Sequence, residues 1–111
     1  MSQAPPEEWV AVALRADLGA GGMTAVAFGD YRIALYDIGG EIFATDGICT
    51  HAQGLLTDGT LDGEIVECPL HGGRFSVRTG RGMGPPIPSD LRTYPVRVVE
   101  GEIQVRLPDL F

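Results

Sequence analysis

Residues 46–75 read DGICTHAQGLLTDGTLDGEIVECPLHGGRF, and both cysteines and both histidines of the 111-residue chain lie within them. Cys49-Thr50-His51 is one cluster and Cys68-Pro69-Leu70-His71 the other, separated by residues 52–67, sixteen in all. Two thiols and two imidazoles in mixed pairs, with none left over, make up the donor set of a four-ligand metal site. Each pair falls on a turn. Cys49 and His51 follow Asp46-Gly47, Cys68 closes the apolar Ile65-Val66 stretch, and His71-Gly72-Gly73 leads into the next strand. Two such loops, carried on hairpins, are expected to meet tip to tip, each giving one sulfur and one nitrogen.

The surrounding sequence alternates with period two in short runs broken by turns. Ile103, Val105 and Leu107 alternate with Glu102, Gln104 and Arg106, the pattern of a half-buried strand. Tyr94, Val96 and Val98 do the same upstream, and Glu100-Gly101 between the two runs reads as a hairpin turn. Pro95 cannot donate to a strand ladder, so its strand is expected at an edge or with a bulge. Thr24-Val26-Phe28 and Tyr31-Ile33-Leu35 flank Gly29-Asp30, a second hairpin, and Gly39-Gly40 turns into Glu41–Ala44. Trp9 to Leu14, Glu64 to Glu67 and Arg74 to Val77 complete the strands, and no stretch longer than a turn has a helical period. The expectation is a single all-β, mostly antiparallel domain over residues 1–111.

Composition excludes several functions. The net charge is −7 and all eight basic residues are arginine, with no basic run to follow a phosphate backbone, so no nucleic-acid partner is expected. No run approaches the roughly 18 apolar residues of a membrane span, and Met1 to Val10 lacks the positive start of a signal peptide. A cytoplasmic protein without a membrane partner is expected, and there a cysteine pair points to metal or redox chemistry.

Three readings compete for Cys49, His51, Cys68 and His71. A disulfide leaves both histidines unexplained. A structural zinc accepts two Cys and two His, but its pairs usually come as C-x2–4-C and H-x3–5-H, whereas each pair here is mixed. The third is a [2Fe–2S] cluster with two thiolates on one iron and two imidazoles on the other.

The spacing C-T-H, sixteen residues, C-P-L-H-G resembles the Rieske motif, C-x-H…C-x2-H. The resemblance implies a Rieske-like antiparallel β-sandwich or barrel base carrying an inserted cluster-binding subdomain, here 46–75. A proline-rich loop lies beside the cluster, here 80–90 with Gly84-Pro85-Pro86. It also implies one [2Fe–2S] cluster per chain, with Cys49 and Cys68 on the iron that stays ferric and His51 and His71 on the iron that is reduced. Two ferric ions, two sulfides and two thiolates sum to zero charge, so an electron is added more easily than to an all-cysteine cluster, within roughly −150 to +300 mV. Where the respiratory and photosynthetic branch has an extra disulfide, this chain has Gly54 and Leu70. Where that branch has hydroxyl donors it has Gly73 and Phe75. Hydrogen bonds stabilise the electron-rich reduced state, so their absence points to the low end of the range and to the soluble ferredoxins of bacterial aromatic-ring dioxygenase systems.

The resemblance therefore implies a monomeric one-electron carrier of aromatic hydrocarbon catabolism. It would run between a flavin-containing, NAD(P)H-dependent ferredoxin reductase and a terminal Rieske oxygenase. Arg74, Arg78 and Arg81 after the second motif, with Asp58, Asp62 and Glu64 between the motifs, are candidate docking charges. An oxygenase in this family needs a further iron held by two His and a carboxylate, and no histidine remains, so no catalytic residue is assigned. Two alternatives stay open. One is an electron-transfer or structural subunit of a larger oxidase or reductase, such as a nitrite reductase small subunit. The other is a Cys2His2 zinc module.

Overall fold

A computed structural model of the chain describes residues 8–18, 22–48, 54–69, 73–83 and 90–107. The described residues form ten strands and two short 3-10 turns, Arg15–Asp17 and Leu56–Asp58. Two sheets make the base. One pairs β1 (Glu8–Leu14), β10 (Glu102–Leu107) and β9 (Val96–Val99); the other has the order β2 (Met23–Phe28), β3 (Tyr31–Ile38), β4 (Glu41–Asp46), β8 (Thr93–Tyr94). All pairings are antiparallel.

The turns follow from local chemistry. Gly39 and Gly40 have φ of 62° and 93°, and Glu100 and Gly101 have 51° and 81°. Positive φ at both central residues defines the turn whose twist matches antiparallel strands. Alternation then sets the faces: Ile103, Val105 and Leu107 are fully buried while Gln104 and Arg106 are half-buried. They meet Ile33, Leu35, Ile42, Ala44 and Tyr94 of the second sheet in one core. On the outer face Arg97 stacks over Trp9 at 4.4 Å and donates to Gln104 at 2.6 Å.

The expected run Tyr94-Val96-Val98 is divided. Tyr94 pairs with β4 in one sheet, and Val96 onward pairs with β10 in the other. Pro95 marks the switch, and β9 is the edge strand its missing N–H requires.

β3 is buried on both faces. Ile33 and Leu35 enter the base core, while Ala34 and Tyr36 join a second core with Leu56, Val66, Cys68, Phe75, Val77 and Leu91. That second core underlies a third sheet of β5 (Thr60–Asp62), β6 (Ile65–Glu67) and β7 (Arg74–Ser76). Arg78 ties this sheet to the base. Its guanidinium pairs with Glu64 at 2.8 Å, approaches Glu41 at 3.8 Å and lies 4.9 Å above the Phe43 ring. These groups are half-exposed, so water screens the pairing, and apolar burial in the second core supplies most of the attachment.

Candidate metal centre

Of the four candidate donors, Cys68 lies among the described residues; Cys49, His51 and His71 lie outside them, as do Gly84-Pro85-Pro86. What the structure describes is the stems that flank those segments in sequence. The first stem is closed by the Ile48–Leu55 bridge and by the Leu56 N–H donating to the Gly47 carbonyl at 2.9 Å. The second continues the β6–β7 hairpin, through the Glu67–Arg74 register to the Cys68 N–H donating to the Gly73 carbonyl at 2.7 Å.

A third stem abuts the second. Phe75 bridges Gly82, and the Met83 N–H donates to the Arg74 carbonyl at 2.9 Å. Across its base the Gly82 N–H donates to Asp90 Oδ1 at 2.8 Å and the Leu91 N–H to the Gly80 carbonyl at 2.7 Å. Gly80 has φ of 78°, and a Cβ there would sit 2.2 Å from the Leu91 carbonyl oxygen, so glycine is required. Gly59 is equally constrained: a Cβ would stand 1.8 Å from the Glu67 carbonyl oxygen, directly before Cys68.

Cys68 is 1% exposed and packs in the second core with Leu56, Val66 and Phe75. A buried thiol on a hairpin stem, its loop leading on to His71, suits a soft metal shielded from water on the protein side. Leu55 and Met83, at the roots of the first and third loops, are 38% and 48% exposed. Apolar side chains therefore face solvent at these two stems.

Two ion pairs lie near the stems. The Glu64 carboxyl is held below its usual range by the Arg78 hydrogen bond, which in turn raises the guanidinium's own value. Arg74 lies 3.8 Å from Glu67. Tyr36, wholly buried in the second core, donates to Thr45 Oγ1 at 2.8 Å, because that hydroxyl spends its own proton on the Asp46 carbonyl. Burial pushes the Tyr36 phenol up to about 12.

The family model for the Rieske [2Fe-2S] domain matches residues 8–95. The chain belongs to the Rieske [2Fe–2S] family. Among its Rieske relatives is the ferredoxin component of the naphthalene 1,2-dioxygenase/salicylate 5-hydroxylase systems of a Ralstonia species. It is 39% identical over 101 residues, spanning 91% of this chain and 97% of the relative. The solved ferredoxin of Sphingomonas yanoikuyae B1 superposes with a TM-score of 0.85 at 36% identity, covering 91% of this chain and all of that one. A chain in the complex of reduced oxygenase and oxidized ferredoxin of carbazole 1,9a-dioxygenase gives 0.81 at 39% identity, with 87% and 91% covered. The Rieske cofactor is a [2Fe–2S] cluster, and this Rieske protein is an electron carrier rather than an enzyme in its own right.

Sequence reasoning missed three features of the site. β5 has only Leu61 turned partly inward, and Asp62-Gly63 with Gly63 at a φ of 61° was its one turn signal. Asp90, which closes the third loop, and Tyr94, whose hydroxyl reaches the Asp46 carboxylate, act over sequence separations that no periodicity reports.

Proposed function

We propose that this chain is the ferredoxin of an aromatic-ring dioxygenase system, binding one cluster through Cys49 and Cys68 on one iron and His51 and His71 on the other. The observation that carries the reading is Cys68, buried at the head of a hairpin stem whose loop runs on to His71, in a chain with one complete two-Cys, two-His set. The donor set fits the cluster's chemistry: thiolates stabilise the ferric iron, and the less donating imidazoles leave theirs to take the electron. Residues 46–75 then act as the cluster-binding insertion and 80–90 as the loop beside it. When bound, the cluster supplies reversible one-electron transfer.

Within that reading the chain's own residues hold the donors, exclude water from beneath through the second core, and present Leu55 and Met83 at the rim. The partners are a flavin-containing NAD(P)H-dependent reductase and a terminal Rieske oxygenase. Both would dock over the loop tips, and the chain would work as a cytoplasmic monomer. No helix among the described residues is long and apolar enough to cross a membrane. A complete donor set favours this carrier over a ligand-free scaffold subunit.

Anaerobically purified protein is expected to hold about two iron and two sulfide per chain and to give an EPR signal on one-electron reduction. Gel filtration is expected to show a monomer. Adding the protein to a reductase and oxygenase pair of the naphthalene type is expected to start NAD(P)H-dependent turnover. A colourless protein holding a single zinc overturns the cofactor reading. A loaded cluster that neither partner can reduce or oxidise overturns the dioxygenase reading alone.

A further inference from the structure

We propose that Asp46, locked in place by Tyr94, is a fixed negative charge at the root of the first ligand loop that holds the cluster's reduction potential down. The inference rests on the cluster reading above and adds a residue outside the donor set.

Asp46 ends β4 and is held from every side. Its N–H donates to the Arg92 carbonyl at 2.9 Å, and its carbonyl accepts from Thr45 Oγ1 at 2.8 Å. Its Oδ1 accepts the Tyr94 hydroxyl at 2.5 Å, and the next residue's N–H, at Gly47, donates to the Arg32 carbonyl at 2.7 Å. Tyr94 is itself fixed, 5% exposed in the base core with its ring edge-on to Tyr31 at 6.0 Å. The carboxylate therefore has a defined position. Cys49 follows three residues later, and at 3.8 Å per residue its Cα lies no more than about 11 Å from that of Asp46.

The choice of partner matters. An arginine would pin the carboxylate as a counter-ion, whereas a tyrosine pins it as a neutral donor. Burial, then the adjacent carboxylate, raise the Tyr94 pKa above its ordinary value, so the hydroxyl stays a neutral donor at working pH. Reduction adds one negative charge to the cluster, and a partly buried carboxylate at the root of a ligand loop opposes it with less screening than a surface group. Countercharge is close but directed elsewhere in one case: Arg32 donates to the Gly29 and Tyr31 carbonyls at 3.2 and 3.3 Å. Arg92 and Asp30 line the same cleft as Asp46.

The test is protein-film voltammetry of the loaded protein, with iron and sulfide content measured on each variant. Asp46→Asn keeps the shape and an oxygen that can accept from Tyr94. Its one-electron equilibrium is expected to shift toward the reduced form about three- to tenfold, a rise of about 30 to 60 mV. Asp46→Glu is expected to restore most of the wild-type potential, and Tyr94→Phe, which frees the charge without removing it, to shift it less than Asp46→Asn. An unchanged potential in loaded Asp46→Asn, with or without lost thermal stability, overturns the proposal. So does an Asp46→Glu shift equal to that of the Asn variant. If Asp46→Asn fails to load, Arg92→Gln carries the test with the opposite sign, a fall in potential, and a rise or no change there overturns it. Absence of iron and sulfide from the wild type would instead be a failure of the cluster reading.

Discussion

The base and the third sheet are built by the same alternation but at different scales. In the base, β3 pairs with β2 and β4 over six registers each, and β10 alone buries three whole side chains, each contributing roughly 1.5–3 kcal/mol. The third sheet has strands of three residues; β6 and β7 bury one residue each, Val66 and Phe75, and β5 buries none fully. The base can be held by its own chain. The third sheet is held by leaning on the far face of β3 and, under the function proposed here, by the metal its loops enclose. Under that function the part that carries the chemistry is the part least able to fold alone.

Removing the metal tests that contrast most strongly. In His71→Ala, or after chelation, the visible spectrum is expected to vanish. Amide protection at Val66 and Phe75 should fall by orders of magnitude, while Ile103 and Val105 keep theirs. Uniform loss across both regions would mean one cooperative unit and would break the comparison.

Cutting into each core sharpens it. Leu35→Ala in the base core is expected to cost about 2–5 kcal/mol of global stability with or without cluster. Leu56→Ala in the second core deletes the same group, yet in the apoprotein it should cost much less and show mainly as faster cluster loss. Equal costs in the apoprotein, measured by denaturant titration, would refute the division.

The smallest effect concerns Tyr36, which stands in the wall between the cores. Its folded pKa, about 12, lies above the ordinary value near 10. The neutral phenol therefore stabilises the fold fully below about 10, and that contribution is lost as pH rises toward about 12, at roughly 1.4 kcal/mol per unit. Tyr36→Phe is expected to flatten this alkaline limb, with Tyr94, also raised, leaving a residual slope. An unchanged limb in the variant would show that the hydroxyl is not buried as described.

Where one face of a strand is solvated, as in Ile103, Val105 and Leu107, period two announces the strand and its inward face. β3 is different: Ile33-Ala34-Leu35-Tyr36 is buried throughout, and reading only its odd positions hid the second core. The run through Tyr94 and Val98 looked continuous because a change of sheet leaves the alternation intact, and only Pro95 hinted at it. The proposed donor set was legible as a sequence pattern because metal chemistry restricts which residues can occur together. Its support was not: Tyr94 and Asp46 are 48 residues apart, and their encounter is a product of tertiary packing.

The chain leaves the base at Asp46 and comes back at Arg92, where the two backbones hydrogen-bond and β4 meets β8 through Thr45–Thr93. Exit and entry are therefore neighbours, so the excursion closes at one doorway while its body packs on the far face of β3. Because the entropy of closing a loop grows only with the logarithm of its length, such a doorway tolerates excursions of very different size at little cost to the scaffold. A replacement for residues 47–91 would then need neighbouring ends at the doorway and an apolar face to cover Ala34 and Tyr36 of β3.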